Sequence, residues 1–287
     1  MTPEKCARRR LRRAGLLLAA LGAAVLAACG GESPEEVVRE TTANLGRIRS
    51  GDLSMRVLAA PRGKSLERGT GFLLDGPFSL SDRRGELPTT DVEYTRVAGS
   101  ERSTLAVVST GRRAFLRMDG QTYEMPSDRE RALRGASGPA GPSGQLERLR
   151  IASWVREPEI VPGPSLDGVE TDRLRSGVDV VSATNALLEA SGQSAPGRPA
   201  ITGAEAERLT RAVRSARLEL VTGAEDRLLR RLRLDLELEA GAPPALLRTL
   251  GPLGGATFEL ELTVDRVNEP VRVRAPKDAL PASALGG

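Results

Sequence analysis

Hydrophobic and polar residues alternate along most of the chain after Leu53, and the alternation has the two-residue period of β-strands. It is strongest near the C-terminus, where leucine or phenylalanine alternates with charged residues over 216–221, 230–240 and 257–267. Glycine-containing turns separate the runs, which is typical of an antiparallel sheet with one face buried and one in water. Further strands are predicted over 53–59, 70–74, 78–80, 91–97, 103–110, 112–118, 122–125, 167–180 and 269–276.

Helical spacing replaces this alternation in a few short segments. Ser33, Pro34 and Glu36 predict a helix start, with Ser33 as the N-cap and Glu36 completing a capping box. Apolar residues then recur every three or four positions until Gly51 ends the helix. Other helices are predicted over 127–134, 145–155 and 202–213. Glycine and proline predict loops at 135–144 and 241–255.

The first 29 residues have the pattern of an export signal. Six basic residues lie between Lys5 and Arg13, and the uncharged run Leu16–Ala28 has 13 residues, against roughly 20 for a stable membrane-spanning helix. Leu26-Ala27-Ala28-Cys29 resembles a bacterial lipobox. That resemblance implies cleavage between Ala28 and Cys29 and a diacylglyceryl group on the Cys29 thiol. The alternative is a plain secretory signal in which Cys29 is incidental.

The net positive charge of the chain comes from its first 28 residues. The chain has 42 Lys+Arg and 38 Asp+Glu, and residues 1–28 hold six of the basic residues and one acidic residue, so 36 and 37 remain. The sequence pI of about 9.5 therefore comes from the leader. The remaining chain gives no indication of a nucleic-acid surface.

Composition excludes several kinds of active site. The chain has no histidine, so histidine-based triads, general bases and imidazole metal sites are excluded. Cys6 leaves with the leader, and Cys29 is expected to be acylated, so no thiol remains for a disulfide or a metal cluster. No nucleophile–base pair stands out among the carboxylates. We predict no enzyme activity, no cofactor and no metal.

The order of these elements resembles actinobacterial lipoproteins of the LppX/LprG type, distantly related to the Lol carrier proteins. The resemblance is carried by the lipobox, by the single tryptophan in a helical insert, and by three segments at 109–126, 167–174 and 269–276. It implies an α+β fold in which helices pack on the concave side of a strongly curved antiparallel sheet, an incomplete β-barrel. The expected divisions are a signal peptide at 1–28, acylated cysteine and tether at 29–33, one half-barrel domain at 34–280 and a disordered tail at 281–287.

Two functions follow as expectations. By the resemblance, the first is a carrier held by Cys29 at the extracytoplasmic face of the cell membrane, whose apolar cavity binds acyl chains of a lipid or lipoglycan. Its expected partners are membrane lipids, that cargo and an envelope transporter. The second is an interaction or stress-sensor module, because alternating leucines also bury themselves under helices in a closed core. For the first, the expected cavity residues are Leu53, Met55, Phe72, Phe78, Phe115, Leu234, Leu236, Phe258 and Leu260.

Overall fold

The computed structural model of the chain describes residues 32–81, 83, 85–135, 150–190, 199–239 and 255–286. The predicted signal peptide, Cys29 and the first part of the tether lie outside the described residues. So do most of the two predicted loops and the beginning of the predicted helix at 145–155.

Eleven strands of the described residues form one antiparallel sheet. They lie in the order β6-β5-β4-β3-β2-β1-β11-β10-β9-β8-β7, so the first and last strands pair at the centre and β6 and β7 form the two edges. The sheet does not close, and the predicted α+β incomplete barrel is confirmed. The strands are β1 Ser50–Pro61, β2 Thr70–Ser79, β3 Thr89–Ala98, β4 Glu101–Thr110, β5 Ala114–Met118, β6 Gln121–Glu124, β7 Val155–Pro162, β8 Thr171–Val178, β9 Val213–Gly223, β10 Leu229–Leu238 and β11 Ala256–Asp265.

The described residues contain four α-helices: α1 Pro34–Ala43, α2 Ser127–Gly135, α3 Val180–Ala190 and α4 Gly203–Ala212. Ser33 caps α1 as predicted, since its Oγ accepts a hydrogen bond of 3.2 Å from the backbone N–H of Glu36. The helix is shorter than predicted because it ends at Ala43 and a 3₁₀ turn follows at Leu45–Arg47.

One face of the sheet carries the core, as the leucine alternation predicts. Paired residues of neighbouring antiparallel strands point to the same face, so the register defines that face from strand to strand. In β11, Leu260 lies opposite Val57 of β1 and Leu234 of β10, and Val57 lies opposite Phe72 of β2. We call this the inner face, and the helices pack on it, inside the incomplete barrel.

Several segments differ from the sequence predictions. The described part of the predicted helix at 145–155 is a 3₁₀ turn at Ile151–Ser153 followed by the start of β7. Residues 269–276 form no strand, because both long edges of β11 are already paired and Pro270 and Pro276 have no N–H to donate. The predicted disordered tail instead contains a 3₁₀ helix at Ala282–Gly286. It is held because Leu285 packs against the core cluster around Leu116. Residues 180–190 form a helix, although the sequence predicts a strand up to Val180 and no element directly after it.

Candidate functional site: an apolar pocket on the inner face

The inner face of the sheet divides into a closed half and an open half. In the closed half, formed by β8 to β11, the helices α1, α3 and α4 cover the leucine rows. Leu232 of β10 is 0% exposed and Leu262 of β11 is 2% exposed. In the open half, formed by β2 to β5, most apolar side chains of the same face stay half-buried, namely Phe72, Leu74, Val92, Tyr94, Leu105, Val107 and Met118.

Four of the nine predicted cavity residues lie in the closed half. Leu234, Leu236, Phe258 and Leu260 belong to the same buried cluster as Trp154. One buried hydrogen bond connects α1 to the sheet in this half, since the Thr41 hydroxyl donates to the Thr222 hydroxyl of β9 at 3.1 Å. In this half the leucines therefore fill a core rather than line a hollow.

Four more of the predicted residues lie at the boundary or in the open half. Leu53, Met55 and Phe78 are half-buried and pack against the edge of the closed core. Phe72 lies farther out on the inner face, where its ring stacks on Tyr94 with the ring centroids 5.8 Å apart. These residues share one face with the pocket described below, although they are not among those that line it.

Phe115 lies on the opposite, outer face of the sheet, so its prediction as a cavity-lining residue is wrong. It pairs with Val108 of β4, whereas its neighbour Leu116 pairs with Val107 on the inner face. The Arg113 guanidinium carbon lies 5.4 Å from the centroid of the Phe115 ring. Arg113 also pairs with Glu124, the residue opposite Phe115 on β6. A salt-bridged arginine thus covers the ring from outside.

A pocket of about 450 Å³ lies on the inner face between the sheet and α2. Its volume falls within the roughly 300–1,000 Å³ that is usual for small-molecule sites. Seven of the eight described residues that line it are apolar, and the eighth is Arg129. They are Leu105 and Val107 of β4, Leu116 and Met118 of β5, Met125, and Arg129, Ala132 and Leu133 of α2.

The sequence contained signals for this pocket. Leu105 and Val107 alternate on one strand, and Leu116 and Met118 alternate on the next. Residues 129, 132 and 133 have the spacing of one helix face. Ala114, Phe115 and Leu116 form an unbroken apolar run. The alternation therefore does not determine which of these side chains points inward, and the prediction of Phe115 as a lining residue is wrong.

Arg134 and the C-terminal segment hold the pocket's helix and edge strand. Arg134 of α2 is salt-bridged to Glu130 at 2.6 Å and donates to the backbone oxygens of Arg112 at 2.7 Å and Gly85 at 3.2 Å. At the edge of the sheet, the Leu280 N–H donates to the Thr122 oxygen at 2.9 Å, and the Glu124 N–H donates to the Leu280 oxygen at 2.8 Å.

Arg129 differs from its neighbours on α2. It is exposed, and no ion pair or hydrogen bond of its side chain occurs among the described residues. The lining of the pocket in the described chain includes no carboxylate. The described lining of the pocket therefore presents one positive charge, without a paired carboxylate, beside an apolar surface.

Shifted pKa values occur away from this pocket. Partial desolvation and the nearby carboxylates of Asp167 and Asp52 raise the pKa of Asp265. Burial opposes ionisation of Asp179, but hydrogen bonds from the Ser182 N–H and the Arg156 guanidinium outweigh it and lower the pKa of this carboxyl. Neither residue lines the pocket, so the chemistry of its described lining rests on an apolar surface and the Arg129 guanidinium.

The described residues contain neither a metal-binding group nor a membrane-spanning helix. No group of three or more Asp, Glu or Cys side chains in that part of the chain is placed to hold a metal ion. None of the helices described is long and apolar enough to cross a membrane.

Comparisons with known proteins found similar chains among solved structures. No family model matches the chain, and no curated protein matches it in sequence. Among solved structures, LprF from Mycobacterium bovis is 11% identical with a TM-score of 0.45, and the match covers 85% of this chain and 96% of that one. The lipoprotein LppX from Mycobacterium tuberculosis is 14% identical with a TM-score of 0.40, over 84% and 98%.

Proposed function

We propose that the protein is a non-enzymatic lipoprotein that binds lipid acyl chains on the open half of its inner face. In this proposal it carries a lipid or lipoglycan across the cell envelope, in exchange with the membrane and with an envelope transporter. Acylated Cys29 anchors it to the extracytoplasmic face of the cell membrane. A thioether-linked diacylglyceryl group and an amide-linked chain supply the two or more hydrophobic signals that stable anchoring needs.

The observation that carries the proposal is the apolar pocket beneath α2. Its described lining is apolar except for Arg129, and the neighbouring inner-face residues of β2 to β4 are half-buried rather than packed under helices. Transfer of an acyl chain from water to such a surface gains about 0.8 kcal/mol per methylene. Met118 and Met125 add flexible side chains that adapt to different chains.

The proposed binding surface continues from the pocket toward the centre of the sheet. Phe72 and Tyr94 extend the apolar inner face across β2 and β3. Leu53, Met55 and Phe78 then form its border with the closed core. A second or longer acyl chain would lie along this path.

A closed interaction or stress-sensor module is the second candidate. It is favoured by the closed half, where Leu234, Leu236, Phe258 and Leu260 fill a core under helices. It differs from the first candidate in one respect, because it requires no cargo in the open half.

Native mass spectrometry distinguishes the two candidates. The chain lacking the predicted leader is purified, and its mass is compared before and after organic extraction and after incubation with an envelope lipid extract. The carrier gives a discrete extractable mass in the lipid range. A clean, unchanged mass throughout would favour the sensor module.

A pair of variants assigns any bound lipid to the pocket. Ala132→Trp places a large ring on the lining face of α2, while Arg131→Trp places the same ring on the adjacent position, which does not line the pocket. We expect Ala132→Trp to reduce the lipid-bound fraction at least fivefold and Arg131→Trp to leave it within twofold. Equal occupancy in both variants would place the lipid elsewhere.

A further inference from the structure

The described lining of the pocket beneath α2 combines an apolar floor with a single cation, Arg129, at its edge. Leu105, Val107, Leu116 and Met118 supply the floor from two adjacent strands, and Leu133 closes it from the helix. Arg129 lies one helical turn before Leu133 on the same lining face of α2. A ligand that satisfies both features must be apolar over most of its length and anionic at one end.

Arg129 is free to bind the anionic end of a ligand, whereas Arg134, which anchors α2, is not. Arg134 is committed to Glu130 and to two backbone oxygens. Arg129 has no ion-pair or hydrogen-bond partner among the described residues, and it is the charged member of the described lining. A guanidinium presents a planar fork of donors that matches the two oxygens of a carboxylate.

The charge count favours a carboxylate over a more highly charged head group. One guanidinium balances one negative charge, and the described lining contains no second cation. It also contains no carboxylate that would repel the anion. An acyl chain with a neutral head, such as an alcohol or an ester, would leave Arg129 unpaired.

We propose that this pocket selects free fatty acids, with the acyl chain between α2 and strands β4 and β5 and the carboxylate on Arg129. The inference rests on the proposed lipid-binding function and deepens it by naming the class of head group. Arg129 then acts as a specificity residue, since burial of the chain supplies the affinity and the guanidinium selects the anion. The carboxylate lies at the water-exposed edge, because Arg129 is exposed.

The test compares labelled dodecanoate with dodecan-1-ol, which has the same chain without the charge. Both ligands are dialysed to equilibrium at pH 8 against the full chain held in an amphipathic polymer, with polymer alone as the blank. We expect dodecanoate to bind about fivefold more tightly than dodecan-1-ol. The difference is modest because an exposed arginine–carboxylate pair contributes only a small free energy. Dodecyl phosphate forms the third arm, and we expect it to bind no more tightly than dodecanoate.

Two variants connect the preference to the residue. Arg129→Gln removes the guanidinium from the lining face, and Arg131→Gln removes the same charge from a neighbouring exposed position on α2. We expect the preference for dodecanoate over dodecan-1-ol to fall below twofold in Arg129→Gln and to remain in Arg131→Gln. The affinity for dodecan-1-ol should stay the same in all three proteins.

The outcomes separate this inference from the function on which it rests. If the original chain binds both ligands equally, or if Arg131→Gln loses the preference as fully as Arg129→Gln, the selection by Arg129 is wrong and lipid binding stands. If dodecyl phosphate binds more tightly than dodecanoate, the assignment to a carboxylate is wrong. If none of the ligands binds, the proposed function fails together with the inference.

Discussion

The closed and open halves of the inner face have the same alternation of apolar and polar residues but differ in how far helices cover them. Strands β10 and β11 alternate leucine with charge, and three helices cover their inner face until Leu232 and Leu262 are almost wholly buried. Strands β4 and β5 also alternate, but the described chain gives them one helix of nine residues, and a pocket remains beneath it. The difference shows that the surface available to a ligand depends on the covering helices, not on the strand pattern.

The largest loss of unfolding free energy should follow truncation of a buried leucine in the closed half. Leu232→Ala removes a side chain that is 0% exposed, and such substitutions cost about 2–5 kcal/mol of unfolding free energy. Leu105→Ala makes the same change at a half-buried position of the open half. Because a half-buried side chain loses less on truncation, we expect it to cost about 1 kcal/mol or less. Urea denaturation measures both, and equal losses would contradict the division into two halves.

The next effect concerns the cap of a helix in the closed half. The Asp179 carboxylate accepts a 3.0 Å hydrogen bond from the Ser182 N–H at the start of α3 and pairs with Arg156. Asp179→Ala should cost about 1 kcal/mol at pH 7. Asp179→Asn is the control, since it keeps a capping oxygen and loses the charge.

The pH dependence of that loss has a definite sign. The pKa of Asp179 is lowered in the folded state, so its contribution is present above the unfolded pKa and is lost as the pH falls through the folded pKa. We expect the difference between the original chain and Asp179→Ala to shrink below about pH 4. A difference that grows in acid would contradict the assignment.

A smaller, local effect should follow removal of the C-terminal segment from the open half. The Leu280 backbone bonds β6, and Leu285 packs against the cluster that supports α2. Deletion of residues 280–287 should raise hydrogen exchange at the Glu124 amide about tenfold or more, because that amide loses its acceptor. Amides of β10 should keep their exchange rates. If β10 exchanges faster as well, the two halves unfold together and are not independent.

The smallest effect should come from a carboxylate at the end of β11. The pKa of Asp265 is raised in the folded state, so the ionised carboxyl opposes folding at neutral pH. Asp265→Asn should therefore stabilise the protein at pH 7, by only a few tenths of a kcal/mol because the side chain is exposed. The gain should vanish below about pH 4, where the aspartate of the original chain is protonated. Thermal unfolding at the two pH values measures it, and destabilisation at pH 7 would contradict the sign.

The sequence predicted the fold better than the site for physical reasons. Leucine alternating with charge determines both the strands and the face that they bury, so the buried positions of β9, β10 and β11 could be predicted residue by residue. Whether such a face becomes core or pocket depends on helices from distant parts of the chain, and α3 was not foreseen. Phe115 shows the other difficulty, because an apolar run of three residues does not determine which side chain points inward.

Photolabelling with a fatty acid that carries a diazirine near the end of its acyl chain tests the central claim most directly. We expect peptides from β4, β5 and α2 to carry the label, excess unlabelled dodecanoate to remove it, and Ala132→Trp to reduce it at least fivefold. Label on β9 to β11, or label that the competitor does not displace, would contradict a ligand site in the open half.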